Sequence, residues 1–158
     1  MLSSSSCERD HAWILAHIPH QGSMCLLEAV TAWDEAHIVC RASSHRTLDN
    51  PLRANQQLGA VCGIEYAAQA MAVHGALLAP VDHPVARVGY LVSVRATQLH
   101  VVRLDDIADD LTIDATCITS SANNILYQFS IRAAGRILLT GRAAVVVNAD
   151  LIGSGITT

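Results

Sequence analysis

The sequence predicts an α+β fold in which one antiparallel β-sheet wraps around a single long central helix. The first observation behind this is residues 58–79, which are apolar on almost every side, rich in alanine and closed by Pro80. The second is that β-rich segments lie on both sides of this stretch, so that strands can form a layer around it. The third is the composition, because 51% of the residues are hydrophobic and only 15% are charged. Such a chain needs a large interior or a second subunit that covers part of its surface.

The length of 158 residues is typical of one domain, so we expect a single core within residues 1–158. Both ends, residues 1–10 and 153–158, are polar or rich in small residues and are expected to be flexible.

The N-terminal region is predicted to contain a short helix. Residues 10–16 would bury Trp13 and Ile14 on one side of this helix, and Pro19 would end it. His20 therefore falls on a loop.

The strands follow from β-rich runs separated by turn residues. Asp34 and Glu35 mark a hairpin turn between the first two strands, and residues 43–57 are expected to be irregular. The four runs after the helix are expected to form an antiparallel meander, with turns around residues 105–106, 123–124 and 135. The predicted strands are residues 24–33, 36–42, 85–102, 111–120, 125–133 and 136–147.

The long apolar stretch is long enough to span a membrane, but polar side chains argue against this. Glu65, Gln69 and His74 lie inside it, and each would carry a cost in lipid. We therefore predict a core helix and no membrane span.

Charge and cysteine usage exclude several classes of function. The net charge is −4 and the ten basic residues are scattered arginines, so no patch for nucleic acid is expected and lysine chemistry is absent. Five cysteines without a C-x-x-C pair favour a reducing compartment, the cytoplasm. His17 and His20 lack a third ligand nearby, and we predict neither a metal nor a cofactor.

Glu65 is the best catalytic candidate in the helix. Cys62, Glu65 and Gln69 share one helix face because they lie three and four residues apart. Apolar neighbours are expected to raise the pKa of Glu65, which would let it act as a general acid. The structural alternative is that Glu65 only hydrogen-bonds Gln69 or another subunit. Gly59 and Gly63 would let a substrate carbonyl reach free backbone N–H groups at the helix start, although glycine also serves packing there.

Two short motifs resemble a known family. The run GIEYAAQA at residues 63–70 resembles the E-A-x-A-Q-type helix of β-hydroxyacyl-acyl carrier protein dehydratases. IPH at residues 18–20, followed by MCLL at residues 24–27, resembles their L-P-H opening and first strand. This likeness implies a hot-dog fold, in which the sheet encloses the helix, and it is similar in particular to the dehydratase-like proteins of aryl polyene biosynthesis.

The resemblance also implies a catalytic pair. The family's usual histidine, in a G-H-F-P loop, corresponds to Pro51, and two loop histidines could substitute for it, His20 or His45. The structural alternative is that His20 is satisfied by backbone groups. The aryl polyene-type relatives have a P-H pair at the position of His20, which favours His20. His20 would remove the proton beside the thioester carbonyl, Glu65 would protonate the departing β-hydroxyl, and Gln69 would orient Glu65. The product would be a trans-enoyl thioester, in fatty acid, polyketide or aryl polyene chain assembly.

The implied partner is an acyl carrier protein that presents its substrate on phosphopantetheine, with Arg53, Arg87 or Arg95 near the tunnel mouth. An exposed sheet edge also predicts a homodimer, or a heterodimer with another hot-dog subunit. Two alternatives remain open: a hot-dog thioesterase whose helix carboxylate activates water, and a non-catalytic subunit that partners an active paralogue.

Overall fold

The computed structural model of the protein describes residues 8–79 and 89–147. The predictions for Cys7, His83, Arg87 and the far C-terminus lie outside these residues. The described elements are β1 (Arg9–Asp10), α1 (His11–His17), β2 (Ala29–Trp33), β3 (His37–Ala42), α2 (Gly63–Leu78), β4 (Gly89–Leu99), β5 (Leu111–Ser120), β6 (Asn124–Ala133) and β7 (Arg136–Val147).

The seven strands form one antiparallel sheet in the order β1-β2-β3-β5-β6-β7-β4. β5, β6 and β7 form the predicted meander. The prediction that β4 precedes β5 in this meander was wrong: β4 pairs with β7 and forms the far edge of the sheet. The strand reaches that edge because the intervening residues 100–110 run as a long connection rather than a tight turn.

β2 is shorter than the strand predicted at residues 24–33. Met24 ends a 3-10 turn, Gly22–Met24, and the extended pairing begins only at Ala29. The hairpin turn between β2 and β3 lies where it was predicted, with Asp34 accepting a hydrogen bond from the backbone of Ala36.

Helix α1 is placed by its N-terminal cap. The Asp10 side chain accepts a hydrogen bond from the Trp13 N–H at 2.9 Å, and Ile14 is fully buried. Arg9 and Asp10 pair with β2, so these two residues belong to the sheet rather than to the expected flexible end. His20 follows the helix on a loop, as predicted.

Helix α2 begins later than residue 58, because the first residues of the apolar stretch are held by another segment. The Leu58 carbonyl accepts from the Leu104 N–H, and the Leu58 N–H donates to the Asp105 carboxylate. A 3-10 turn, Ala60–Cys62, then leads into the helix.

The stretch Ala60–Leu78 passes the length and composition test for a membrane span. It nevertheless packs as a core helix on the inner face of the sheet, and its buried members include Tyr66, Gln69 and His74. The predicted α+β architecture, with one sheet around one long helix, is confirmed.

Candidate active site

The structure brings His20 and Glu65 together. The Nε2 atom of His20 lies 3.2 Å from Oε1 of Glu65, although the two residues are far apart in the sequence. Their side chains are 27% and 33% exposed, so the pair is accessible without being surrounded by water. This geometry suits proton transfer between the two groups and a third group that approaches from the open side.

Gln69 lies one helical turn after Glu65 and connects it to the loop that follows His20. Its amide oxygen accepts from the Leu26 N–H at 2.9 Å, and its amide nitrogen donates to the Met24 carbonyl at 2.7 Å. The same nitrogen donates to Glu65 Oε1 at 3.2 Å. The backbone partners fix which end of the amide faces Glu65, so this contact can only be a donor to the carboxyl group.

The prediction of a raised pKa for Glu65 is wrong. The hydrogen bond from His20 lowers the pKa of Glu65, the partial burial of the carboxyl group raises it, and the hydrogen bond from Gln69 lowers it further, with a net decrease. The sequence-based expectation considered only the apolar neighbours and missed two donors. Glu65 is therefore a carboxylate at neutral pH. The Nε2–H group of His20 donates a hydrogen bond to this carboxylate.

The other ring nitrogen of His20 is shielded from solvent. Nδ1 is buried and has no hydrogen-bond partner among the residues that the structure describes. The ring is thus anchored through Nε2 alone on its polar side.

The alternative base, His45, lies elsewhere. Its ring is fully buried, Nε2 lies 3.1 Å from the Ile107 carbonyl oxygen, and burial lowers the pKa of the imidazole. His45 holds the loop 43–57 against residues 107–110 and does not contact Glu65. Of the two histidines left open by the sequence, only His20 contacts the helix carboxylate.

The two glycines differ in their surroundings. The Gly63 N–H bonds to the Ala60 and Val61 carbonyls, and a Cβ at Gly63 would lie 2.8 Å from a methyl group of Leu139. Gly63 therefore serves close packing of the helix on the sheet rather than offering a free N–H, which corrects its assignment to the substrate. Gly59 has open space where a Cβ would lie, and its N–H donates to the Cys62 thiol, which lowers the pKa of that thiol against the larger effect of burial.

Three further residues considered in the sequence analysis are Cys62, Arg53 and Arg95. Burial raises the pKa of the Cys62 thiol, which argues against a nucleophile. Arg53 donates to the carbonyls of Gln56 and Arg46 and has no carboxylate partner in the described part of the chain. Arg95 is exposed on β4, directly opposite Arg142 of β7.

A groove of about 490 Å³ lies on the outer face of the sheet and contains none of the predicted site residues. Asp114 lies in it, 3.2 Å from His37 and 2.7 Å from Arg132. Within residues 8–79 and 89–147, no three His, Cys, Asp or Glu side chains are grouped to hold a metal ion.

Sequence reasoning missed a set of polar residues beside the pair. Ser44, Asn50 and Tyr66 hydrogen-bond one another at 2.8–3.0 Å behind the His20 loop. The available signal was Tyr66 itself, because a hydroxyl in the middle of an apolar helix needs a partner.

Comparison with known proteins identifies the family. The family model of the ApeP-like proteins, described as ApeP dehydratase, matches residues 13–153. The chain belongs to the ApeP-like dehydratase family. The predicted resemblance to the aryl polyene-type dehydratases is thereby confirmed. No curated protein matches the sequence.

Solved structures show the same fold in ApeP-like and thioesterase proteins. The dehydratase heterocomplex ApeI:P from Xenorhabdus doucetiae matches with a TM-score of 0.81 and 22% identity, over 92% of this chain and 97% of that one. A thioesterase from Pseudomonas aeruginosa matches with a TM-score of 0.63 and 12% identity, over 89% and 94% of the two chains. A thioesterase from Haemophilus influenzae matches with a TM-score of 0.56 and 15% identity, over 84% and 80%. At these identities the structural likeness establishes the hot-dog fold.

Proposed function

We propose that this ApeP-like protein dehydrates 3-hydroxyacyl thioesters that are carried on an acyl carrier protein, with His20 and Glu65 as its acid–base pair. The observation that carries the proposal is the 3.2 Å contact between His20 Nε2 and Glu65 Oε1. The chain's membership of a dehydratase family supports the same reaction. Phosphopantetheine would present the substrate, and fatty acid, polyketide or aryl polyene assembly would use the product.

The reaction removes one proton from the carbon beside the thioester carbonyl and adds one proton to the departing β-hydroxyl, so that an enoyl thioester and water are formed. The pair must therefore hold one proton and have room for another. When His20 is an imidazolium beside the Glu65 carboxylate, transfer of its Nε2 proton to the carboxylate gives a neutral imidazole as base and a carboxylic acid that protonates the hydroxyl. The two groups share this proton, so a pH–rate profile reports the pair rather than either residue.

Gly59 is the backbone group that we propose for the thioester carbonyl. Its N–H donates to the Cys62 thiol, a weak acceptor that a thioester oxygen can replace, and it precedes the helix that carries Glu65. A backbone N–H that points at a developing oxyanion stabilises it without any rearrangement.

A second hot-dog subunit is the partner that we propose for β4. This strand forms one edge of the sheet, and Leu91, Val92 and Leu99 on it are exposed. Pairing of this edge with a second copy, or with a different hot-dog chain as in the ApeI:P heterocomplex, would cover these side chains. We expect cytoplasmic protein, in keeping with the four unpaired cysteines in the described part of the chain.

A thioesterase is the second candidate, since the hot-dog thioesterases share the fold and the ionised Glu65 is in the state that activates water. Purified protein incubated with a 3-hydroxyacyl-carrier protein should yield the enoyl thioester, detected as loss of water by mass spectrometry. Release of free thiol without enoyl product would select the thioesterase. Dehydration that occurs only after a second hot-dog chain is added would assign this chain the role of a subunit of a two-chain enzyme.

A further inference from the structure

The backbone at Leu26, between His20 and β2, is held by hydrogen bonds to both its N–H and its carbonyl group. The Leu26 N–H donates to Gln69 at 2.9 Å, and the Leu26 carbonyl accepts from the Ser44 hydroxyl at 2.8 Å. Leu26 itself is buried, so neither group can bond to water instead. The segment that leads from His20 into β2 is therefore fixed at Leu26.

The proton positions behind Ser44 follow from the donors and acceptors present. Ser44 has one hydroxyl proton and gives it to the Leu26 carbonyl, so the Tyr66 hydroxyl, 2.8 Å away, must donate to Ser44. Asn50 then donates to the Tyr66 oxygen at 3.0 Å, and its own amide orientation is fixed because its oxygen accepts from the Leu52 N–H. The result is a chain of hydrogen bonds that all run in one direction, from Asn50 to the Leu26 carbonyl.

Tyr66 is the member of this chain that lies on helix α2, immediately after Glu65. It is fully buried, Asn50 is nearly so, and burial raises the pKa of the Tyr66 hydroxyl, which keeps it a donor. A phenylalanine would fill the same space without a polar atom to satisfy, so the hydroxyl has to be explained by its contacts.

We propose that Tyr66 is a positioning residue for the catalytic pair: through Ser44 it holds the Leu26 carbonyl, and together with Gln69 it ties the His20 loop to the helix that carries Glu65. One helix then controls both members of the pair. Glu65 is placed directly, and His20 is placed through the backbone that Tyr66 and Gln69 hold. The consequence for catalysis rests on the proposed function, whereas the consequence for the loop does not.

The test compares Tyr66→Phe with Tyr127→Phe. Tyr127 is a matched control for the loss of one buried hydroxyl, because it is buried and its hydroxyl bonds to His74 at 2.8 Å rather than to Ser44 or Asn50. In the full-length protein, Tyr66→Phe should speed hydrogen exchange of the Leu26 N–H and shift the nitrogen resonances of the His20 ring. Tyr127→Phe should change neither, although both variants lose a buried hydrogen bond.

A Ser44 variant provides a second test of the same proposal. Ser44→Ala should reproduce the effect of Tyr66→Phe on Leu26 and His20, and the double variant should be no worse than either single variant, since both act on one chain of hydrogen bonds. In the dehydration assay, kcat should fall by about ten- to a hundredfold with KM unchanged, because a misplacement of about 1 Å costs on the order of 10²-fold.

The outcomes separate the two proposals. Unchanged Leu26 exchange and His20 resonances in Tyr66→Phe, or equal changes in Tyr127→Phe, would overturn the role of Tyr66. If wild-type protein turns over no 3-hydroxyacyl thioester, the proposed function fails, and the magnetic resonance arm still decides whether Tyr66 holds the loop.

Discussion

The amide nitrogen of Gln69 lies 3.2 Å from Oε1 of Glu65, and it cannot exchange places with the amide oxygen. The Leu26 N–H requires an acceptor and the Met24 carbonyl requires a donor, so each end of the amide is assigned by the backbone. The side chain that orients the carboxylate is thus also the one that holds the loop carrying its partner histidine.

Replacement of Gln69 by methionine is expected to destabilise the fold. The substitution keeps the side-chain length but leaves the buried Leu26 N–H and the Met24 carbonyl unpaired. The free energy of unfolding in urea should fall by about 2–4 kcal/mol, because each unsatisfied buried group costs ~1–3 kcal/mol. Gln128→Met on the exposed face of β6 is the control and should stay within about 0.5 kcal/mol of wild type. Equal losses in the two variants would contradict the role given to Gln69.

The catalytic pair can be tested by His20→Ala and Glu65→Gln. Either change removes one of the two groups that exchange protons with substrate, so turnover should fall by about 10²–10⁴-fold while the circular dichroism spectrum stays native. His100→Ala, at an exposed position away from the pair, should keep the wild-type rate. Wild-type rates in both site variants would show that the chemistry lies elsewhere.

The buried His74 predicts that the fold weakens in mild acid. Its Nε2 donates to the Asp34 carbonyl and its Nδ1 accepts from the Tyr127 hydroxyl, and burial lowers the pKa of His74 below 6.5. Because the unfolded chain binds the proton more readily, the stabilisation is complete above about pH 6.5 and is lost as the pH falls below it.

The slope that one such histidine contributes is at most ~1.4 kcal/mol per pH unit. Urea unfolding between pH 7 and pH 5 should therefore show a smaller pH dependence in His74→Gln than in wild type. His45, which burial affects in the same direction, is expected to account for part of the remaining slope. An unchanged slope in His74→Gln would refute this origin.

Gly63 and Gly59 should respond differently to the same methyl group. A Cβ at Gly63 would lie 2.8 Å and 2.9 Å from the two end methyl groups of Leu139 and 3.1 Å from Ile131, so Gly63→Ala should cost about 1–3 kcal/mol by overpacking. Gly59→Ala meets no atom within 4 Å and should leave the stability within about 0.5 kcal/mol of wild type. Thermal unfolding of the two variants makes the comparison, and a cost at Gly59 equal to that at Gly63 would contradict it.

Local sequence patterns were sufficient for the elements that depend on near neighbours. β5 and β7 have the predicted bounds, α1 is shifted by one residue, and the apolar helix lies within the predicted residues 58–79, although it starts later. The loop position of His20 also followed from Pro19 alone.

The parts that were missed depend on contacts between distant segments. The pairing of β4 with β7 is not encoded by turn residues, and the delayed start of α2 results from the contact of Leu58 with Leu104. The direction of the Glu65 pKa shift could not be read from the helix, because His20 comes from another part of the chain. Apolar neighbours in a sequence predict burial, whereas the charge state depends on which donors the fold brings close.

The position of β4 at the edge beyond β7 also has a consequence for synthesis of the chain. β4 leaves the ribosome before β7, so its pairing partner is still missing while about 40 residues are added, which takes roughly 2–8 s at ~5–20 residues per second. During that interval Leu91, Val92 and Leu99 have no strand beside them on either edge. A chain truncated after Ala133 should consequently precipitate in a cell-free translation reaction in which the full-length chain stays in the supernatant after centrifugation.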